Sequence, residues 1–65
     1  MSLPIIGITS DLENNGGYSK YPWYALRQNY CSSVTNSGGV PIILVNEMHL
    51  VDQYSELLDG LIISG

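Results

Sequence analysis

The sequence has no phenylalanine, one cysteine (Cys31), one histidine (His49) and only two basic side chains, Lys20 and Arg27. Each shortage narrows what the chain does. One thiol cannot close an internal disulfide. A lone Cys and a lone His, far apart in the chain, do not have the spacing of a zinc site, so no metal and no cofactor is expected. Six acidic residues against two basic ones leave a formal net charge of −4. Nucleic acid and anionic membranes both need clustered Lys and Arg, so neither is an expected partner. No apolar run approaches the roughly 18 residues that a membrane span requires. Met1-Ser2-Leu3 has neither the basic start nor the apolar core of a signal peptide, so the expected location is cytoplasmic.

What remains is the composition of a folded protein, with 45% hydrophobic residues, five Tyr and one Trp. Yet 65 residues form one thin domain at most, burying about 60% of the surface of the unfolded chain. Domains this small usually carry a disulfide, a metal or a partner. Residues 1–65 therefore read as an incomplete part of a single larger domain.

Three apolar runs organise the chain: Pro4–Thr9, Val40–Val45 and the segment Gly60-Leu-Ile-Ile-Ser-Gly65. They are continuous rather than alternating, which implies cover on both faces, as in a parallel sheet. Gly7 inside the first run predicts that a bulky group passes close to the backbone. Pro41 lacks a ladder donor, which places the second run at an edge. Ser10–Tyr21 reads as a loop around Asn14-Asn-Gly-Gly17. Its length, about a dozen residues, exceeds the two to six usual between strand and helix, and long loops at strand ends often carry function.

A helix is predicted from Pro22 onward, with Trp23, Leu26, Tyr30 and Val34 on one face and Arg27, Gln28, Asn29 and Asn36 on others. Gly38 is its expected left-handed stop. Asn46 is the expected cap of a second helix, with Leu50, Tyr54, Leu57 and Leu58 on its apolar face. Cys31 falls mid-helix, without the helix N-terminus, cation or His partner that activates a thiol. His49 reads as a surface residue. The order βαβαβ has crossovers long enough for parallel pairing. Right-handed connections with strand order 2-1-3 put the helices on opposite faces. In that order the third strand is an open edge, and edges of this kind recruit another strand. Self-association through it is expected. In open α/β sheets ligands bind beyond the C-terminal strand ends, so a site is expected there.

Three segments carry a family resemblance: Pro4-Ile-Ile-Gly-Ile-Thr9, then Tyr30 followed by Ser37-Gly-Gly-Val-Pro-Ile-Ile-Leu44, then Leu58-Asp-Gly-Leu-Ile-Ile-Ser-Gly65. In this order and spacing they resemble the start of the class I glutamine amidotransferase-like superfamily, closest to the gamma-glutamyl-gamma-aminobutyrate hydrolase family of cysteine peptidases. Asn46 departs from the pattern, where the family often has Pro. The resemblance implies a flavodoxin-like, doubly wound α/β fold. It also implies a Cys-His-Glu triad acting on a small gamma-glutamyl amide substrate through a thioester. The nucleophile would stand on a sharp strand-to-helix turn. By the same resemblance the triad is absent from this chain, which alone should be inactive, and Cys31 matches no catalytic position. Gly65 matches the start of the oxyanion loop. Ser10, Asp11, Tyr18 and Tyr21 are the expected pocket wall. Ile8-Thr-Ser-Asp-Leu-Glu-Asn-Asn15 also resembles the start of sugar-binding domains of the periplasmic-receptor and repressor type. A small-molecule-binding module is therefore the alternative reading.

Overall fold

The computed structural model describes residues 2–64. Its centre is a parallel sheet of three strands, β1 (Ile5–Thr9), β4 (Val40–Leu44) and β5 (Gly60–Ile62), in the order β4-β1-β5. This is the 2-1-3 order expected for the three apolar runs. The middle strand explains its own apolarity. Ile8 faces Ile43 on one side and Ile62 on the other, and it is 0% exposed. Pro41 lies on β4, a strand with one free edge, where its missing N–H disrupts least.

Side-chain alternation along β1 divides the sheet into two faces. Ile6 meets Val34 beside Gly39: a Cβ on Gly39 would lie 3.0 Å from Val34 and 3.1 Å from Ile6. Helix α1 (Gln28–Asn36) therefore covers the Ile6 and Ile8 face. The opposite face carries Gly7, beneath Leu58 and Leu44. A Cβ on Gly7 would lie 2.5 Å from Leu58 Cδ1, so the close approach expected from the sequence is real. Leu58 directly follows helix α2 (Val51–Leu57), which places the second helix on that side.

The stop of α1 is fully resolved in chemical terms. Gly38 takes φ +92°, a conformation that L side chains rarely adopt. The Gly39 N–H then donates to the Val34 carbonyl at 2.9 Å, and the Gly38 N–H to that of Thr35 at 3.1 Å. These two bonds form a Schellman motif and return the chain to β4.

Two expectations are corrected. The first helix begins at Gln28, not at Pro22 or Trp23. Trp23–Ala25 instead forms strand β3, paired antiparallel with β2 (Asp11–Glu13), so the expected Ser10–Tyr21 loop is one arm of a hairpin. Bulky aromatics favour a pleated strand, and Trp23 and Tyr24 find cross-strand partners in Glu13 and Leu12. Pro22 suits a strand start as well as a helix start. The hairpin turns through Gly16 and Gly17, at φ +104° and +58°, and Tyr18 tilts against Trp23 with ring centroids 5.1 Å apart.

The second correction concerns Asn46. It does not cap a helix. The chain first makes a 3-10 turn, Met48–Leu50, whose capping residue is Glu47, and only then enters α2. The Asn46 side chain donates instead to the carbonyl of Ser10.

The core is small: Ile8, Val34 and Leu44 are its buried apolar side chains among the described residues. The radius of gyration is 13.0 Å, against about 11 Å for a compact domain of this length. No described helix is long and apolar enough to cross a membrane.

Candidate functional site at the strand exits

The three parallel strands end together, and short polar side chains tie the ends to one another. Ser10 is 3% exposed and donates its hydroxyl to the Leu44 carbonyl at 2.8 Å, joining the exit of β1 to that of β4. Asn46 reinforces this junction from the β4 side. On the other side Thr9 and Ser64 lock together. The Ser64 N–H donates to Thr9 Oγ1 at 2.8 Å, and the Ser64 hydroxyl donates to the Thr9 carbonyl at 2.5 Å. At the opposite end of the sheet Asp59 fixes the same register. Its carboxylate accepts from the Ile5 N–H at 2.7 Å, while its own N–H donates to the Ile5 carbonyl at 2.8 Å. Every carbonyl satisfied in this way is one that a fraying strand end would otherwise expose. The result is a stiff rim beneath whatever binds there.

Above this rim, a cleft of about 310 Å³ is lined by Asp11, Leu26, Arg27, Asn29, Tyr30 and Ser64. It lies where β1 and β5 diverge. Chain order reverses at that point in a 2-1-3 sheet, and ligands bind at such a switch point in open α/β folds. The hairpin positions Asp11 by pairing it with Ala25, two residues before Arg27. Helix α1 starts at the cleft. Arg27 is its capping residue, no side chain caps it, and no acidic residue stands in its first turn. The positive end of its dipole is therefore uncompensated.

The expected pocket residues are not brought together. Asp11 lines the cleft. Ser10 is buried beneath it, and its hydroxyl is already committed to Leu44. Tyr18 and Tyr21 are exposed in the hairpin region, with Tyr18 against Trp23. Gly65 lies outside the described residues. Arg27, Asn29, Tyr30 and Ser64 were not read as site residues from the sequence. The available signal was the strand order: it requires the first turn of the helix after strand one to stand at the switch point. Cys31 is a half-buried free thiol in α1, and His49 stands 4.0 Å from Glu47. Among the described residues no three His, Cys, Asp or Glu side chains gather as a metal site would require.

The comparisons fit this geometry. The sequence pattern of the family described as peptidase C26 matches residues 4–65. The chain belongs to the peptidase C26 family. It is also 45% identical over 65 residues to a glutamine amidotransferase-like protein of Rickettsia prowazekii, an alignment covering 95% of this chain and 23% of that relative. The chain thus spans about a quarter of the length of the curated relative it matches. No solved structure matches it. In this peptidase C26 chain the matched residues form the three-stranded parallel sheet, the tied strand exits and the cleft at the switch point.

Proposed function

We propose that the chain forms the first βαβαβ unit, and one wall of the site, of a hydrolase that cleaves gamma-glutamyl amides, of the gamma-glutamyl-gamma-aminobutyrate hydrolase type. The observation that carries this reading is the peptidase C26 match over residues 4–65. In such an enzyme a cysteine thiolate adds to the gamma-carbonyl carbon. The amine leaves with a proton as a thioester forms, and water then releases glutamate and restores the thiol. The nucleophile and its base belong to another part of the domain. Cys31 lies mid-helix in α1 and has no part in the reaction.

This chain's contribution is positional. Thr9 and Ser64 hold the β5 exit against β1, which fixes the point from which an oxyanion loop would be presented. Preorganised N–H donors stabilise an oxyanion because they need not reorganise during the reaction. The 65-residue chain alone is expected to release no product from gamma-glutamyl p-nitroanilide. Turnover that survives Cys31→Ser would overturn that expectation. The positive test is a chimera in which this chain replaces the matched segment of the Rickettsia prowazekii relative. Release of p-nitroaniline at the parent's rate is expected. A folded chimera that is inactive beside an active parent would sink the proposal.

A further inference from the structure

We infer that the cleft between the β1 and β5 exits binds the zwitterionic head of an α-amino acid, with Arg27 taking its carboxylate and Asp11 its ammonium group. This inference rests on the function proposed above and names the part of the substrate that this wall would hold.

Three observations support it. First, the cleft carries one full charge of each sign, and its remaining polar lining is neutral: Asn29, Tyr30 and Ser64. A plain carboxylate would meet Asp11, and a plain amine would meet Arg27. A ligand carrying both charges on one carbon satisfies both. Second, the two charges do not satisfy each other. Among the described residues the one pairing within 4.0 Å is that of His49 with Glu47. Third, both charges stand on fixed backbone. Asp11 is held by its pairing with Ala25, and Arg27 occupies the capping position of α1. The backbone at these positions needs no ordering on binding, which leaves the side chains alone to order. Planar guanidinium also matches a carboxylate in two parallel hydrogen bonds. At about 310 Å³ the cleft is at the small end of ligand sites, a size suited to an amino-acid head rather than to a large cofactor. The second cleft, between α2 and the sheet, carries no cation and is lined mostly by apolar side chains such as Leu44, Val51, Leu58 and Leu61.

The test is a titration of the full chain with L-glutamine, followed by amide chemical shifts. The comparison ligands are glutaramate, which lacks the ammonium group, and gamma-aminobutyramide, which lacks the carboxylate. L-Glutamine is expected to shift the amides of Asp11, Arg27 and Ser64. Each comparison ligand is expected to bind about tenfold more weakly or worse, the usual effect of losing a charge-assisted hydrogen bond. Arg27→Gln should erase the preference for L-glutamine over gamma-aminobutyramide. Asp11→Asn should erase the preference over glutaramate. Equal affinities for the three ligands, no shifts, or shifts confined to Val51 and Leu58 would overturn the inference. The ligand series needs no variant, so a variant that fails to fold leaves the test intact. Amino-acid binding alongside an inactive chimera sinks the hydrolase reading alone. An active chimera without the charge preference sinks only this one.

Discussion

The two helices do the same topological job with opposite results. Helix α1 closes its face of the sheet: Val34 is 5% exposed and packs at Gly39 beside Ile6. Helix α2 stands off its face. Val51 and Leu57 are 52% and 54% exposed, and an apolar cleft of about 430 Å³ separates the helix from Thr9, Leu44 and Leu61. Leu58, just past the helix end, and the Tyr54 hydroxyl, which donates to the Val45 carbonyl at 3.2 Å, draw α2 toward the sheet. Amphipathic pattern is thus enough to choose a helix and a side. Closing the face also needs side chains that reach a partner at close packing. The stability of this chain should therefore be concentrated around β1, α1 and the one contact between Leu58 and Gly7.

Substitutions test that contrast. The largest effect is expected at Gly7, where any Cβ collides with Leu58 and Leu44. Gly7→Val should cost about 3 kcal/mol or more through overpacking at the centre of the sheet, enough to abolish a cooperative thermal transition in a chain this small. Val34→Ala should cost about 2 kcal/mol by opening a cavity under α1, measured as a lower urea midpoint. Ser10→Ala should cost about 1–2 kcal/mol, because it strips the buried Leu44 carbonyl of its donor. Faster amide exchange near Val45 and Asn46 would report that loss locally. Leu57→Ala on α2 should change stability by less than about 0.5 kcal/mol. A loss as large as that of Val34→Ala would show that α2 closes its face in solution and would end the contrast. The smallest effect on folding is expected at Ile63, 78% exposed just past the end of β5, the strand with a free edge. Ile63→Lys should leave stability unchanged and reduce the concentration-dependent association expected of that edge, as read by sedimentation velocity.

Much of the scaffold was legible in the residues. Continuous apolarity in Pro4–Thr9 identified the middle strand, Pro41 identified an edge, and Gly38 identified the end of α1. Each of these signals is local and each has one dominant physical cause. The misreadings came where one residue serves two geometries equally well. Pro22 opens a strand or a helix, and Trp23 fits a three-residue step as easily as a cross-strand pair. Asn46 has a side chain that caps helices, yet here it reaches across to the Ser10 carbonyl at the β1 exit. The site was half legible. Asp11 could be found from the long connection after strand one. Arg27 could not be singled out by pattern, because on a helix wheel it is only a polar residue off the apolar face.

The sequence by itself determined the three parallel strands, their 2-1-3 arrangement and the family, because these follow from hydrophobic continuity, glycine and proline placement and residue identity. Only the tertiary structure decided that Ser10, Thr9, Asn46 and Ser64 act as ties between strand exits. It also decided that Asp11 and Arg27 share one cleft. The physical reason is the same in each case. A hydrogen bond or a shared cavity depends on which distant segments the sheet brings side by side, and Ser64 stands 55 residues from Thr9 in the chain but within hydrogen-bond reach of it in space.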